Sequence, residues 1–265
     1  MDFDIGGNAA LVTASSSGLG KASALALARE GANVVMNGRD EERLEAAVED
    51  VAAEATDGAT VVGQPADLTD EAEVAALVER TVDEFGGLDH LVTSAGGPPA
   101  GPFLETTDED WYEAYDLLVM SVVRLVREAA DPLRADGGGT IVNITSRSVK
   151  EAIDNLVLSN SVRMSVVGLE KTLSTELAPE VRSNAVLPGS HETSRIENLM
   201  EDAVERGDYD SYDEALAARG EEVPLGRIGD PIELGNVVAF LSSPKSGFVN
   251  GVAIPIDGGS GASNL

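Results

Sequence analysis

The 265-residue chain contains no cysteine. That excludes a disulfide framework, a thiolate zinc site and a cysteine nucleophile. Lysine is nearly as scarce, occurring only at Lys21, Lys150, Lys171 and Lys245, so arginine carries most of the positive charge. No apolar run approaches the length of a membrane span. The opening Met1-Asp2-Phe3-Asp4 has neither a basic region nor an apolar signal core, so a cytoplasmic protein is expected, with no membrane partner.

What is abundant is acid. Asp and Glu total 47 against 18 Lys and Arg, giving a formal net charge of −29 and a pI near 4.1. At low ionic strength such a surface repels itself and weakens the compact state. In about 1 M salt the screening length falls to about 3 Å and the repulsion fades. The composition resembles that of proteins from extreme halophiles. An acidic face for a basic partner is the competing reading, but the acids are spread along the whole chain rather than gathered in one tail. A surface of this sign repels nucleic acid.

Apolar runs with strand character alternate with amphipathic helical patterns from end to end. Strands are expected at 9–14, 33–37, 60–64, 88–94, 140–145, 183–187 and 252–256. Helices are expected at 18–30, 41–55, 71–85, 108–130, 155–177 and 231–241. This alternation predicts an α/β protein, with a parallel sheet covered by helices on both faces and right-handed crossovers. No linker or repeat interrupts it, so residues 1–265 read as one domain. The acidic stretch 191–222 departs from the pattern just after a strand end, where ligands enter such sheets, and is expected to be a substrate lid.

Thr13-Ala14-Ser15-Ser16-Ser17-Gly18-Leu19-Gly20 joins the first strand to the first helix. A glycine-rich turn of this kind presents unpaired N–H groups at a helix N-terminus, where they and the helix dipole favour phosphate. Gly18 and Gly20 let the backbone approach a pyrophosphate closely. The second strand ends in Asn37 rather than an acid, and Arg39 follows. An acid there would accept from a ribose 2′-hydroxyl, whereas a guanidinium matches a 2′-phosphate. The expected cofactor is therefore NADP(H) rather than NAD(H).

Further landmarks follow in order: Asp67-Leu68, Phe85-Gly86-Gly87-Leu88-Asp89, Thr93-Ser94-Ala95-Gly96, Ile141-Val142-Asn143-Ile144-Thr145-Ser146, Pro188-Gly189-Ser190-His191-Glu192-Thr193 and Asp257-Gly258-Gly259. With the glycine turn, this set resembles the short-chain dehydrogenase/reductase family over nearly the entire chain, most nearly its 3-oxoacyl-(acyl-carrier-protein) reductase-like branch. The resemblance implies a Rossmann-type three-layer αβα sandwich with a seven-stranded parallel sheet, and a homotetramer built on the helices at 108–130 and 155–177. It implies that Ser15, Ser17, Gly18, Leu19 and Gly20 line the pyrophosphate and adenosine ribose. Asp67 and Leu68 would meet the adenine, and Ser94, Ala95 and Gly96 would back the ribose. Pro188, Gly189 and Thr193 would hold the nicotinamide carboxamide. Ala14 stands where the family has glycine.

The catalytic positions depart from the family's Asn, Ser, Tyr and Lys. Alignment on Ser165-Val166-Val167-Gly168-Leu169 puts Ser159 at the tyrosine position, Arg163 at the lysine position and Ser146 at the serine position. Alignment on Trp111 puts Leu118 at the asparagine position. A serine hydroxyl is a far weaker acid than a phenol, and arginine does not release a proton at usable pH. The tyrosines are Tyr112, Tyr115, Tyr209 and Tyr212; only the last two, from the lid, are candidates to reach the site. His191 is the best substitute acid, with capping or solvent exposure as the bland alternative. Arg163 is expected to donate to ribose hydroxyls and Ser146 to a carbonyl oxygen. Arg147 and Lys150 are candidates to bind a substrate carboxylate or phosphate, and His90 reads as structural. The expected activity is oxidoreduction at a carbonyl or hydroxyl of a small acid, sugar acid or acyl thioester. A catalytically silent nucleotide-binding sensor or assembly protein, or an isomerase or lyase on the same scaffold, are the rivals. No metal site is expected.

Overall fold

The computed structural model describes residues 2–135 and 137–263. Seven strands, β1 (Ala9–Val12), β2 (Asn33–Gly38), β3 (Val61–Pro65), β4 (His90–Thr93), β5 (Gly139–Ile144), β6 (Val181–Pro188) and β7 (Ala253–Ile256), form one parallel sheet. Their order is β3-β2-β1-β4-β5-β6-β7. Ala10 pairs with Val34 on one side and His90 on the other, and Ile141 pairs with Leu91 and with Ser183. Both faces are covered, which is why the strands read as continuous apolar runs.

The helices are α1 (Gly18–Arg29), α2 (Glu41–Glu54), α3 (Glu71–Phe85), α4 (Asp108–Tyr115), α5 (Ser121–Arg134), α6 (Val157–Glu176), α7 (Ser194–Glu205), α8 (Tyr212–Glu221) and α9 (Pro231–Ser242). On one face of the sheet Leu11, Leu91 and Ile141 pack against Leu77 of α3, Leu125 of α5 and Val166 of α6. On the other, Val12, Val92 and Val142 pack against Leu27 of α1, Leu44 of α2 and Leu234 of α9. This is the Rossmann-type layering. The strand order reverses direction between β1 and β4, and at such a switch point the chain leaves a crevice beyond the strand ends.

One feature departs from the sequence expectation. The helix expected at 108–130 is interrupted: α4 passes into a π-helical turn, Asp116–Met120, before α5 resumes. Widened turns of this kind leave no trace in hydrophobic periodicity and cluster at functional sites. His90 is the first residue of β4. It is structural, as expected: its ring nitrogens lie 2.9 Å from Asn8 Nδ2 and 2.9 Å from Thr140 Oγ1. Burial drives its pKa down to about 4. Among the described residues, no helix is long and apolar enough to cross a membrane.

Candidate active site

A cavity of about 460 Å³ lies beyond the carboxyl ends of β1 to β5. Ser16, Ser17, Gly18, Leu19 and Gly20 wall it after β1, Arg39 after β2, Asp67 and Leu68 after β3, and Ser94, Ala95 and Gly96 after β4. The start of α1 faces this space. Its N-cap Ser17 is extended and makes no side-chain capping bond, and its first turn holds no acid. By contrast α2, α3, α4, α8 and α9 begin at Asp40, Asp70, Thr107, Ser211 and Asp230, each accepting from a first-turn N–H. In a chain of net charge −29, the N–H groups of α1 are left for an outside anion. A Cβ on Gly20 would fall 2.3 Å from the Ala14 carbonyl oxygen. The wall is therefore backbone, and it fits a diphosphate.

One assignment in this turn needs correction. Ser15 does not line the cavity. It is fully buried, and its hydroxyl donates to Val12 O (2.8 Å) and accepts from Asn37 N (2.9 Å). Ser16 takes the cavity wall instead. Asn37 does line the cavity, and its side chain is also engaged with backbone. Its Oδ1 accepts from Ala14 N (3.1 Å), and its Nδ2 donates to Gln64 O (3.3 Å) and Ala66 O (3.1 Å). Asn37 thereby clamps the glycine turn to the end of β3. The clamp holds Ala14 at φ +45°, in the left-handed region that glycine would occupy without strain. The rim beyond β2 is set by Arg39 and by Arg43, which sequence reasoning missed although it lies one helical turn on. The neighbouring Asp40 carboxylate is turned into its helix cap, accepting from Arg43 N at 2.8 Å. Asp67 accepts from the N–H and hydroxyl of Thr69, which hold its carboxyl below the usual range, with Arg39 adding to the effect.

A second cavity, of about 240 Å³, opens from the first and shares Leu19, Gly97, Thr145, Arg163 and Thr193 with it. It brings together Ser146, Ser159, Arg163, Pro188, Gly189 and His191. Ser146 Oγ accepts from Ser148 N at 3.1 Å, leaving its proton to donate. The Ser159 hydroxyl lies 3.1 Å from that of Ser148. Arg163 is buried. Its guanidinium donates to Thr145 O (3.4 Å) and Gly96 O (3.1 Å), tying the loops after β5 and β4 together beneath both cavities.

The remaining candidates separate. His191 is buried, with Nδ1 donating to Gly189 O at 3.3 Å. The edge of its ring lies so close to Gly229 that a Cβ there would meet Cδ2 at 2.8 Å and Nε2 at 3.0 Å. Burial lowers its pKa and keeps the ring neutral. Among the described lining residues neither Tyr209 nor Tyr212 reaches either cavity. Tyr212 donates to Glu192 Oε1 at 2.9 Å, and burial and that carboxylate push its pKa up to about 12. Leu118 is buried in the core, and Leu117 is the neighbour that lines the nucleotide cavity. Arg147 stands in the second cavity. Lys150 lies in a small neighbouring one with Glu151 and Asp257, which Arg147 also lines.

A family model described as enoyl-(acyl carrier protein) reductase matches residues 13–261. The chain belongs to the short-chain dehydrogenase/reductase family. It is 33% identical over 254 residues to the 3-oxoacyl-(acyl-carrier-protein) reductase of Staphylococcus aureus, covering 94% of this chain and 96% of that protein. It is 33% identical over 256 residues to a putative ketoacyl reductase of the monensin polyketide synthase of Streptomyces virginiae, covering 95% and 96%. Among solved structures, L-sorbose reductase from Gluconobacter frateurii, complexed with NADPH and L-sorbose, superposes with a TM-score of 0.93. It is 31% identical, and the match covers 99% of this chain and 100% of that one. Like these relatives, this short-chain dehydrogenase/reductase is an NAD(P)-dependent oxidoreductase. Ser146, Ser159 and Arg163 stand together in its second cavity. Arg219, which reaches the second cavity from α8, belongs to no motif, and nothing in the sequence pattern singles it out.

Proposed function

We propose that the chain reduces a carbonyl of a small acid, sugar acid or acyl thioester, or oxidises the matching alcohol, using NADP(H) and a proton donor other than tyrosine. The observation that carries this reading is the continuity of the two cavities through Arg163 and Thr145. When bound, a nicotinamide nucleotide supplies the hydride that turns the carbonyl into an alcohol and is itself oxidised. Ser17, Gly18, Leu19 and Gly20 hold its diphosphate, Asp67 and Leu68 its adenine, and Ser94, Ala95, Gly96 and Arg163 its riboses. Pro188, Gly189 and Thr193 flank the nicotinamide. The Ser146 hydroxyl donates to the substrate oxygen, and Arg163 supplies fixed positive charge as negative charge builds there. The Ser159 hydroxyl, 3.1 Å from that of Ser148, also lines this cavity, and the proton that the substrate oxygen finally keeps is drawn from solvent. His191 is a second donor only if its ring leaves Gly229. Residues 191–222 act as the lid, contributing Thr193, Ile196 and Arg219.

The charge distribution supports a cytoplasmic protein working in concentrated salt. Exposed Tyr112, Tyr115 and Met164 on α4 and α6 support a homotetramer built on those helices. NADPH fluorescence titration in high salt should show saturable binding, and a carbonyl panel should show NADPH consumption. Binding without consumption of any carbonyl would favour the silent sensor, and no binding would end the proposal.

The NADP(H) preference rests on Arg39 and Arg43 at the rim. Arg39→Ala is expected to weaken NADPH binding about tenfold or more while changing NADH binding less, since a charge-assisted phosphate contact is lost. Equal losses for both nucleotides in the same titration would sink that assignment.

A further inference from the structure

The second cavity has a charge balance opposite to that of the chain. The protein carries 47 acids against 18 Lys and Arg. Yet Arg147, Arg163 and Arg219 all stand in this one wall, and no acid is among its described lining residues. Arg147 follows Ser146 directly and enters from the loop after β5. Arg219 enters from α8 on the far side. Each is held from behind by groups outside the lining, Arg147 by Glu151 (2.7 Å) and the Ser260 carbonyl (3.3 Å), and Arg219 by Glu222 (2.9 Å). A guanidinium has five N–H donors in a planar fork, so these partners orient each head without using up its donors. Between them Ile153, Leu156 and Ile196 give an apolar floor. A neutral substrate would leave this convergence of positive charge unanswered.

We propose that the substrate is a small oxo acid, with its carbonyl at Ser146 and its carboxylate gripped between Arg147 and Arg219. This rests on the oxidoreductase reading and narrows its substrate class. The volume of about 240 Å³ suits an acid of a few carbons. Because Arg219 rides on the lid, the carboxylate also draws the lid onto the substrate.

The test is steady-state NADPH oxidation by the full chain with pyruvate, 2-oxobutanoate and acetoacetate. Their methyl esters and dihydroxyacetone phosphate serve as neutral and phosphate arms. The ratio of kcat/KM for acid over ester is expected to be about tenfold or more. It should fall about tenfold or more, through KM, in Arg147→Gln and in Arg219→Gln, because each loses charged hydrogen bonds. Arg206→Gln, which alters an exposed lid arginine paired with Asp208, should leave the ratio where it was. Esters consumed as readily as acids, a ratio untouched by either substitution, or turnover of the phosphate alone would overturn the proposal while sparing the reductase reading. If no carbonyl is consumed, that reading fails separately, and calorimetric titration with malonate decides the present one. Binding lost in the Arg147→Gln, Arg219→Gln double variant upholds a carboxylate grip, and unchanged or absent binding in the parent protein refutes it.

Discussion

Gly20→Ala is expected to abolish measurable NADPH binding and to destabilise the fold. A Cβ at this position would lie 2.3 Å from the Ala14 carbonyl oxygen and 2.9 Å from its carbon. Both are backbone atoms, and Ala14 is itself clamped by Asn37, so neither can swing aside as a flexible side chain would. Relief must come from moving the start of α1, the element whose N–H groups face the nucleotide cavity. Overpacking of this kind costs about 1–3 kcal/mol. Displacing the helix start by even an ångström would cost the diphosphate contacts, so affinity should drop about 100-fold or more. Gly87→Ala is the control: a Cβ there meets nothing within 4 Å, and binding and melting temperature should hold. Fluorescence titration and thermal unfolding read both outcomes, and an unshifted NADPH isotherm for Gly20→Ala would refute this account of the turn.

Glu170→Gln is expected to flatten the pH dependence of stability and to raise stability at pH 8 by about 1–3 kcal/mol. Glu170 sits on the sheet-facing side of α6, only 1% exposed, and its Oε1 has no hydrogen-bond partner among the described residues. Burial pushes its pKa from the ordinary 4.5 to about 7, against the opposing charge of Lys171. As pH rises above 4.5 the unfolded chain gives up this proton first, while the folded chain keeps it until about 7. The folded state therefore holds its full advantage below pH 4.5 and loses it progressively through pH 7. The shift corresponds to a deficit of about 3 kcal/mol once both states are ionised. Glutamine keeps the shape and removes the charge. Denaturant unfolding at pH 5 and pH 8 measures the difference, and parallel profiles for the two proteins would dismiss Glu170 as the cause.

Much of this architecture was legible in the chain because burial on both faces writes parallel strands as plain apolar runs. The helix 71–85 was read to the residue, since Asp70 caps its start and Gly86, at φ +83°, ends it. The π turn at Asp116–Met120 was not legible, because a single widened turn leaves the apolar spacing of α4 and α5 almost unchanged. Of the residues the sequence marks in the glycine turn and in the loops after β3 and β4, all but Ser15 line the first cavity. Ser15 was misplaced for a plain reason. A polar side chain at a strand end can face a ligand or fasten neighbouring backbone, and only the fold reveals which. Arg219 was out of reach because nothing in the pattern of α8 marks which of its side chains stands in the second cavity.

Arg163 is both floor and furniture. By bridging the carbonyls of Thr145 and Gly96, one side chain couples the anchorage of two active-site loops to the placement of a permanent cation. A lysine ends in a single nitrogen and has no fork with which to span both loops. Arg163→Lys therefore also loosens the scaffold that gives the pocket its form. Charge and architecture meet at this position, so a substitution here alters the two loops as well as the cation.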